Sequence, residues 1–532
     1  MNQRAPAVAT AAVATLAAVP AIAGLGNGFV YDDVPVILQN SLVHSLSNSG
    51  AIWHSSYWPA GRLYRPLTVQ LFALEWTVGG GKPLVFHAIS LVLAVTVAVL
   101  VFRLVRRVLY MTGAPAVLGA SLFATALFAL HPAHVEVVAN LVGQSELLAA
   151  LFAVLAVERY LTWRAEGEPG ATRRLLLAGL TLLAMLSKEI GVVVPLLLGA
   201  AELSLLSGRR PRLGALYVLQ AAAVAGALLA RWSVLGSLVG ENPVRALQGL
   251  SAGARGVAML AVVPQWIRLL FWPAHLQAEY GPPALALTTQ LSAAHWMGLF
   301  VLVLVAVVWL ATRRRAPAIG FGLLWTGLAL APVSNLLVAT GLVVAERVLF
   351  LPSVGLVIGL GAGFALLWPR VQAVRAVAAV VAVSLLVAAG VRSVGRNAAW
   401  RSQAAFFDHL LRDAPTTYRA QYVTSRYYFG ERRYADAERA ARTALALYPD
   451  DPRIHEQLGQ VLRVEGRCGD ALPVLDAGLA LEPDGTVLRS RLIECALATG
   501  DTARARAVAD AGVRRGLSEF RQTLERLSPR PP

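Results

Sequence analysis

Long apolar runs recur through the first three quarters of the chain and constrain its fold more than any other feature. An α-helix needs about 20 apolar residues to cross the hydrocarbon core of a bilayer, and its backbone hydrogen bonds are then satisfied internally. Of the 532 residues, 57% are hydrophobic and 15% are charged, which excludes an ordinary soluble domain and a disordered chain. The eleven runs lie near residues 7–26, 84–102, 114–130, 147–161, 175–187, 190–206, 213–235, 292–311, 317–338, 342–368 and 372–394.

The positive charge lies between these runs. Residues 1–399 contain 27 Lys and Arg against 13 Asp and Glu, whereas residues 400–532 contain 20 against 18. Arg clusters occupy alternate connections, as in the cytoplasmic loops of membrane proteins. The net charge of +16 therefore indicates topology, with a cytoplasmic N-terminus. We expect no nucleic-acid partner, since no DNA- or RNA-binding motif accompanies the charge.

One apolar segment, residues 255–272, tests this topology. It contains Arg255 and Arg268, and an Arg at mid-bilayer costs about 2.5–3.5 kcal/mol on insertion scales. We therefore interpret it as an in-plane or re-entrant helix within a second large outer loop, residues 236–291. Eleven crossings then place the C-terminal tail outside. The alternative is twelve crossings and a cytoplasmic tail.

The first run also has two interpretations. Ala21-Ile22-Ala23 resembles the cleavage site of a signal peptide. The apolar stretch of about 20 residues is longer than the usual 7–15 of such peptides, which favours a retained anchor. In both cases the first outer loop covers residues 27–83.

The tail, residues 400–532, repeats itself. A period of about 34 residues is that of tetratricopeptide repeats, which are helix pairs stacked into a solenoid. The sequence therefore predicts an all-α chain: a polytopic helix bundle over residues 1–399 and a short α-solenoid behind it. Such arrays bind peptides or serve as scaffolds, and both remain open. The residues that recur every 34 positions are Pro415, Pro449 and Pro483, and Ala437, Ala471 and Ala505.

The acidic residues of the membrane part are distributed unevenly between the two sides. With eleven crossings, most of them fall on the outer face together with the two Lys of the chain, and several lie flush against apolar runs. Ionisable groups are costly there and usually functional, so we predict a polar chamber at the outer bilayer surface. The residues are Asp32, Asp33, Glu75, Glu136, Glu146, Glu189, Glu241, Glu279, Glu346, Lys82 and Lys188.

Four motifs line this predicted chamber. Adjacent carboxylates in Tyr31-Asp32-Asp33 are candidates for a general base or a metal ligand, or they cap a helix that Pro35 opens. Arg65, held before Pro66, is suited to binding a phosphate bidentately or to an interfacial position.

The other two motifs combine acids with possible cations. His131, His134 and Glu136 lie in one short stretch, followed by Glu146; the histidines could bind phosphate or orient a carboxylate. A metal site is possible but lacks a third ligand fixed by spacing. Lys188-Glu189 forms a charge pair between two apolar runs, either as part of the site or as a self-neutralising turn.

In this order, the motifs resemble those of the transmembrane and tetratricopeptide-repeat-containing O-mannosyltransferases, within the GT-C glycosyltransferase superfamily. The resemblance covers nearly the whole chain. Members of that family usually carry an Arg where this chain has Gln144. The motifs are Phe29-Val30-Tyr31-Asp32-Asp33, Tyr64-Arg65-Pro66-Leu67, the HPAHVEVV stretch from His131, Glu146-Leu147-Leu148, Leu186-Ser187-Lys188-Glu189, Asn242-Pro243, Ala278-Glu279-Tyr280 and Ala345-Glu346-Arg347.

The resemblance implies transfer of a sugar, mannose, from a polyprenyl-phosphate donor to a Ser or Thr hydroxyl of a protein on the outer face. It implies a carboxylate base in the first outer loop, with Asp32 as the leading candidate and Asp33 beside it. A site with one base and no required nucleophile suggests inversion at the anomeric carbon. No cofactor is firmly implied, and a divalent metal is compatible but not required. The predicted donor-phosphate or substrate-binding residues are Arg65, His131, His134, Glu136, Glu146, Lys188, Glu189, Glu346 and Arg347.

Other function classes remain as alternatives. A non-catalytic membrane scaffold would present the repeats to a protein partner, and a GT-C transferase could use a lipid or glycan acceptor. A transporter would place its charges near the bilayer midplane, whereas here they cluster at one surface.

The basic residues are almost all Arg, with only two Lys. This composition suggests a GC-rich bacterial genome and therefore a plasma (inner) membrane location.

Overall fold

The computed structural model describes residues 4–59, 61, 63–206, 214–238, 244–368 and 372–527. Glu241 and the Asn242-Pro243 motif lie outside this part. Within it the secondary structure is helical, and the only β-type pairing is an isolated bridge between Pro283 and Thr417. The all-α prediction is confirmed.

The α-helices are numbered in chain order, and shorter 3₁₀ and π segments connect several of them. They are α1 (Arg4–Ile22), α2 (Ser49–Ile52), α3 (Pro66–Gly79), α4 (Pro83–Met111), α5 (Val117–Ala129), α6 (Val135–Ala139), α7 (Gln144–Glu166), α8 (Ala171–Ser187), α9 (Val194–Leu205), α10 (Gly214–Leu235), α11 (Ala252–Leu260), α12 (Val263–Phe271), α13 (Ala293–Thr312), α14 (Pro317–Leu330), α15 (Phe350–Leu367), α16 (Gln372–Arg396), α17 (Gln403–Asp413), α18 (Tyr418–Gly430), α19 (Tyr434–Leu447), α20 (Pro452–Val464), α21 (Cys468–Leu481), α22 (Thr486–Ala498), α23 (Thr502–Arg514) and α24 (Arg521–Leu527).

The chain divides into two compact units. The membrane unit comprises Met1–Ala278 and Thr288–Phe406, and the repeat unit comprises Glu279–Leu287 and Phe407–Pro532. The nine-residue segment Glu279–Leu287, which the sequence assigns to the second outer loop, therefore lies with the repeats. There, Glu279 accepts hydrogen bonds from the Arg419 guanidinium at 3.0 and 3.4 Å.

Every predicted apolar run contains a helix, but not every helix is long enough to cross a bilayer. Seven helices among the described residues have the required length and composition, and up to nine if each of two bent helix pairs is one span, so the count of eleven is not confirmed. The shortfall has a physical reason: α9 has 12 residues and α14 has 14, below the length that spans the hydrocarbon core. The bent pairs are α5 with α6, at 51°, and α11 with α12, at 44°.

The core of the membrane unit depends on close contacts between helix backbones. A Cβ atom built on Gly322 of α14 would lie 2.4 Å from the carbonyl oxygen of Gly355 on α15, and one on Gly355 would lie 2.4 Å from that of Gly322. Small residues permit such approach between membrane helices. This contact fixes α15, and hence Arg347 in the turn that precedes it.

The first outer loop has its own small core, which supports α3. Ile52, Tyr57, Phe72 and Phe86 pack there with at most 2% of their surface exposed. Pro66 occupies the first turn of α3, where its missing N–H is not needed. The preceding residue, Arg65, is therefore presented from a fixed helix start.

The repeat unit reproduces the 34-residue period in its contacts. The three Ala residues that recur in the sequence are completely buried between paired helices. At equivalent positions, a polar side chain contacts the carbonyl oxygen of the recurring proline six residues earlier. The contacts are Gln421 Nε2 to Pro415 at 3.1 Å, His455 Nε2 to Pro449 at 2.8 Å and Arg489 Nη2 to Pro483 at 2.7 Å.

Candidate active site

The paired aspartates lie in a turn held by the chain that follows the last membrane helix. Tyr31 has a φ of 55°, a left-handed conformation that is strained for a residue with a Cβ. Its backbone N–H donates to Gln403 Oε1 at 2.7 Å, and its ring stacks on Phe406 with centroids 4.8 Å apart. These contacts fix the direction in which Asp32 and Asp33 leave the turn.

Asp33 is completely buried and binds backbone. Its Oδ2 accepts the Val30 N–H at 3.1 Å and its Oδ1 accepts the Val142 N–H at 2.9 Å. Burial raises the pKa of Asp33 to about 7, with the backbone donors opposing the shift. Asp33 thus links the first outer loop to the turn at Leu141–Gly143.

Asp32 lies beside a partly buried arginine, Arg347. Arg347 Nη2 is 3.4 Å from Asp32 Oδ2, and its Nη1 is 2.6 Å from Glu136 Oε1. The Arg347 backbone N–H also donates to Glu136 Oε2 at 3.0 Å. Asp32, Glu136 and Arg347, which we term the carboxylate cluster, come from three distant parts of the sequence. Of the two acids, Asp32 is the more exposed, at 14% of its side chain against 1%.

A second group, the cation cluster, contains Arg65, Lys188 and Arg231. Glu189 bridges the two arginines: its Oε2 accepts Arg65 Nε and Nη2 at 3.0 and 2.9 Å, and its Oε1 accepts Arg231 Nη1 at 3.3 Å. Burial would raise the pKa of Glu189, but the guanidinium groups of Arg65 and Arg231 hold it below the usual value. Lys188 pairs with Glu146.

The two clusters act on each other electrostatically. Burial lowers the pKa of Lys188, Glu146 opposes this shift, and the positive charges of Arg65 and Arg347 add to it. Three cations therefore converge from α3, the end of α8 and the start of α15. Such convergence is unfavourable without counter-charges, which here are carboxylates.

A cavity of about 340 Å³ opens beside the cation cluster. Its charged lining residues are Arg65, Lys188, Glu189 and Arg231. The contacts of Glu189 with both arginines hold these groups together, and we term this part the cationic end. Its other walls are largely apolar and come from the end of α8, from α10 and from residues 332–348. The cavity thus has one cationic end and a lipophilic body.

The two histidines are not among the residues lining this cavity. His131 Nε2 lies 3.1 Å from the Leu270 carbonyl oxygen. His134 Nδ1 lies 2.8 Å from the Phe128 carbonyl oxygen and its Nε2 lies 3.0 Å from Ser353 Oγ. Both rings are thus engaged in contacts that join helices.

Two further acids also lie apart from the clusters. Glu346 accepts a hydrogen bond from the Gln277 N–H at 2.6 Å and lies 3.7 Å from Arg396. Although Glu346 and Arg347 are adjacent in the sequence, their side chains therefore contact different residues. Glu75, on α3, is 2% exposed, and burial raises its pKa to about 9, with Gln144 opposing the shift.

The sequence interpretation missed one residue of the cation cluster, Arg231, and one residue beside it, Tyr57. Arg231 interrupts the apolar run 213–235, and an arginine in such a run was an available signal of function. Tyr57, whose ring lies 4.8 Å from the Arg65 guanidinium carbon, had no comparable signal. In the described part of the chain, no three His, Cys, Asp or Glu side chains are grouped so that they could hold a metal ion.

Comparison with known proteins finds similarity for both parts of the chain. Two profiles described as tetratricopeptide repeat match residues 422–486 and 462–527. Protein O-mannosyl-transferase TMTC4 of Mus musculus is 30% identical, with 74% of this chain and 60% of that protein covered. Protein O-mannosyl-transferase Tmtc1 of Drosophila melanogaster is 27% identical, with 86% and 60% covered, so the chain spans less than two thirds of these relatives. The chain is therefore a homologue of the TMTC proteins, a multi-pass membrane protein that carries tetratricopeptide repeats, as its motifs predict.

Proposed function

We propose that the chain is a membrane glycosyltransferase that moves mannose from a polyprenyl-phosphate donor to a Ser or Thr hydroxyl of a protein. The transfer takes place on the outer face of the plasma membrane. The observation that carries the proposal is the cavity with a cationic end and apolar walls, since a lipid-linked phosphate has the same division of polarity. The names of the relatives support a protein acceptor and mannose.

The cation cluster binds the phosphate of the donor. Arg65 and Arg231 offer guanidinium groups, which suit the bidentate geometry of phosphate oxygens, and Lys188 supplies a point charge. In a partly desolvated site these charges stabilise the negative charge that develops on the departing phosphate. The polyprenyl chain lies along the apolar walls.

Asp32 is the general base. Both oxygens of Asp33 already accept backbone N–H groups, whereas Asp32 keeps part of its side chain exposed beside Arg347. The acceptor oxygen bonds to the anomeric carbon as the bond from that carbon to the phosphate oxygen breaks. Asp32 takes the hydroxyl proton, a contribution of about 10²–10⁴-fold in rate, and the anomeric configuration inverts.

The decisive experiment compares D32N with D33N in purified protein supplied with polyprenyl-phosphate mannose and Ser/Thr peptides. We expect D32N to lose transfer by at least about 10²-fold while its unfolding temperature changes little. We expect D33N to lose stability, because one of its two backbone N–H partners faces an amide nitrogen. Undiminished transfer by D32N would overturn Asp32 as base, and no transfer by the wild-type chain would favour a non-catalytic scaffold.

The acceptor class needs a separate measurement. The repeats indicate interaction with a protein, so the acceptor assignment predicts that mannose appears on peptide hydroxyls. Mass spectrometry of peptides incubated with wild-type protein, with lipid and oligosaccharide acceptors offered in parallel, distinguishes the alternatives. Transfer only to a lipid or glycan would contradict the protein acceptor and leave the reaction class unchanged.

A further inference from the structure

The carboxylate of Glu189 lies between two guanidinium groups that line the cavity. Arg65 holds one of its oxygens through Nε and Nη2, and Arg231 Nη1 holds the other. Two guanidinium groups that donate to the same anion are also suited to binding the oxygens of a phosphate group. Arg65, Arg231 and Glu189 all line the cavity.

Glu189 differs from the other acids that pair with cations at the site. The side chains of Glu146 and Glu136 are 2% and 1% exposed, whereas that of Glu189 is 36% exposed. Glu189 also begins the 3₁₀ helix Glu189–Val193 directly after α8. Its side chain can therefore turn away from the arginines into open space, which the buried acids cannot do.

We propose that Glu189 is an internal substitute for the donor phosphate. Its carboxylate occupies the anion position between Arg65 and Arg231, and a polyprenyl phosphate displaces it on binding. This inference rests on the donor class of the proposed function and adds a residue that sets affinity and specificity.

Two consequences follow for the site. A ligand must replace at least two guanidinium–carboxylate contacts, so a neutral polyprenol does not displace Glu189, whereas a phosphate with oxygens for both arginines does. After transfer, the returning carboxylate competes with the polyprenyl phosphate product and promotes its release. Glu189 thereby lowers the affinity for lipid phosphate while it partly neutralises Arg65 and Arg231, of which Arg231 is buried.

The test measures binding of polyprenyl phosphate, without sugar, to the purified full chain in nanodiscs. E189Q removes the competing charge, and we expect its dissociation constant to fall about 10-fold relative to wild type, the ratio that corresponds to about 1.4 kcal/mol. E279Q is the matched control. Glu279 accepts hydrogen bonds from the Nε and Nη2 atoms of Arg419, as Glu189 does from Arg65, but it is not among the residues that line the cavity. The control should bind as the wild type does.

Loss of Glu189 also leaves two arginines less well neutralised, which destabilises a buried site. Unfolding temperatures are therefore measured with and without polyprenyl phosphate and, separately, millimolar inorganic phosphate. We expect either ligand to raise the unfolding temperature of E189Q more than that of wild type. A larger effect of the lipid than of the free ion identifies the lipid as the ligand that the site selects.

The outcomes separate this inference from the proposed function. Equal or weaker binding by E189Q, with wild-type protein binding normally, contradicts the role of Glu189 alone. Failure of the wild-type chain to bind polyprenyl phosphate contradicts the proposed donor and this inference together. Tight binding of neutral polyprenol by wild type also overturns it, since Glu189 then selects nothing.

Discussion

Glu75 stands out among the buried acids because, within the described ranges, it has neither a cation nor a backbone N–H donor. Glu146 pairs with Lys188, Glu136 with Arg347, whereas both oxygens of Glu75 lack a hydrogen-bond partner of good geometry within the described ranges. Isolated buried carboxylates avoid ionisation, in agreement with a pKa raised to about 9. Glu75 is therefore neutral at physiological pH.

This assignment predicts a pH-dependent stability. The folded chain keeps the Glu75 proton up to about pH 9, whereas an unfolded glutamate loses it near its ordinary value of 4.5. Between these values folding takes up a proton, so raising the pH destabilises the folded state by about 1.4 kcal/mol per pH unit for this group. We expect E75Q to be more stable than wild type at pH 8, with the difference shrinking towards pH 5.

Unfolding temperatures across that pH range test the prediction. Asp33, with a pKa of about 7, contributes a slope of the same sign, so only the difference between E75Q and wild type isolates Glu75. E431Q, at an exposed position of the repeats, is the control and should parallel the wild type. A constant difference at all pH values would mean that Glu75 is ionised in the folded chain.

Position in the sequence indicates which charged residues lie near the ends of apolar runs, whereas tertiary packing decides which of them meet. The sequence indicates acids at the ends of apolar runs, but it cannot separate Asp32 from Asp33, because only the folded turn aims one carboxylate at Val142 and the other at Arg347. Nor can it show that Arg231 reaches Glu189, since that contact joins α10 to the end of α8.

At the scale of elements, the contact between α14 and α15 positions the turn that carries Arg347 of the carboxylate cluster. These helices approach so closely at Gly322 and Gly355 that each would place a Cβ atom 2.4 Å from the other's carbonyl oxygen. The turn that carries Arg347 leads directly into α15. Forcing the helices apart therefore disturbs both the core and the carboxylate cluster.

We expect G355A to lower stability by about 1–3 kcal/mol, the usual cost of overpacking, and to reduce transfer. G363A, on the same helix with no atom within 4 Å of an added Cβ, should be neutral or stabilising because Ala favours helix over Gly. Unfolding temperatures in detergent and transfer rates provide the comparison. Equal behaviour of the two variants would contradict backbone contact between the helices.

Element prediction from sequence was limited by helix breaks. Apolar runs indicate helices well, yet run 114–130 continues after a 51° bend at His131 into α6, which hydropathy does not reveal. Segment 255–272 likewise becomes two nine-residue helices, α11 and α12. Whether each bent pair crosses or re-enters is decided by packing and by the bilayer.

At the scale of the whole molecule, the repeats were predictable because their period is local. Each 34-residue unit contacts mainly its neighbours, so the same residues recur wherever the same contact recurs, as with the carbonyl contacts of Gln421, His455 and Arg489. In the described part of the membrane unit, by contrast, the clusters include contacts between residues more than 100 positions apart, such as Arg65 with Glu189, which a local period cannot predict.

The side of the membrane that carries the repeats follows from whether an odd or an even number of crossings separates them from an earlier loop. With eleven crossings, seven lie between residue 172, in a cytoplasmic loop, and residue 477, in the repeats; an eighth arises if α11 and α12 together cross. Thr172 and Ala477 are both exposed, and the native Cys468 and Cys495 are buried, so a single introduced cysteine reports its own position.

We expect A477C to react with a membrane-impermeant thiol reagent in intact cells and T172C only after lysis. Reaction of both variants only after lysis would establish an even number of crossings and a cytoplasmic repeat unit, which would separate the repeats from an outer-face active site.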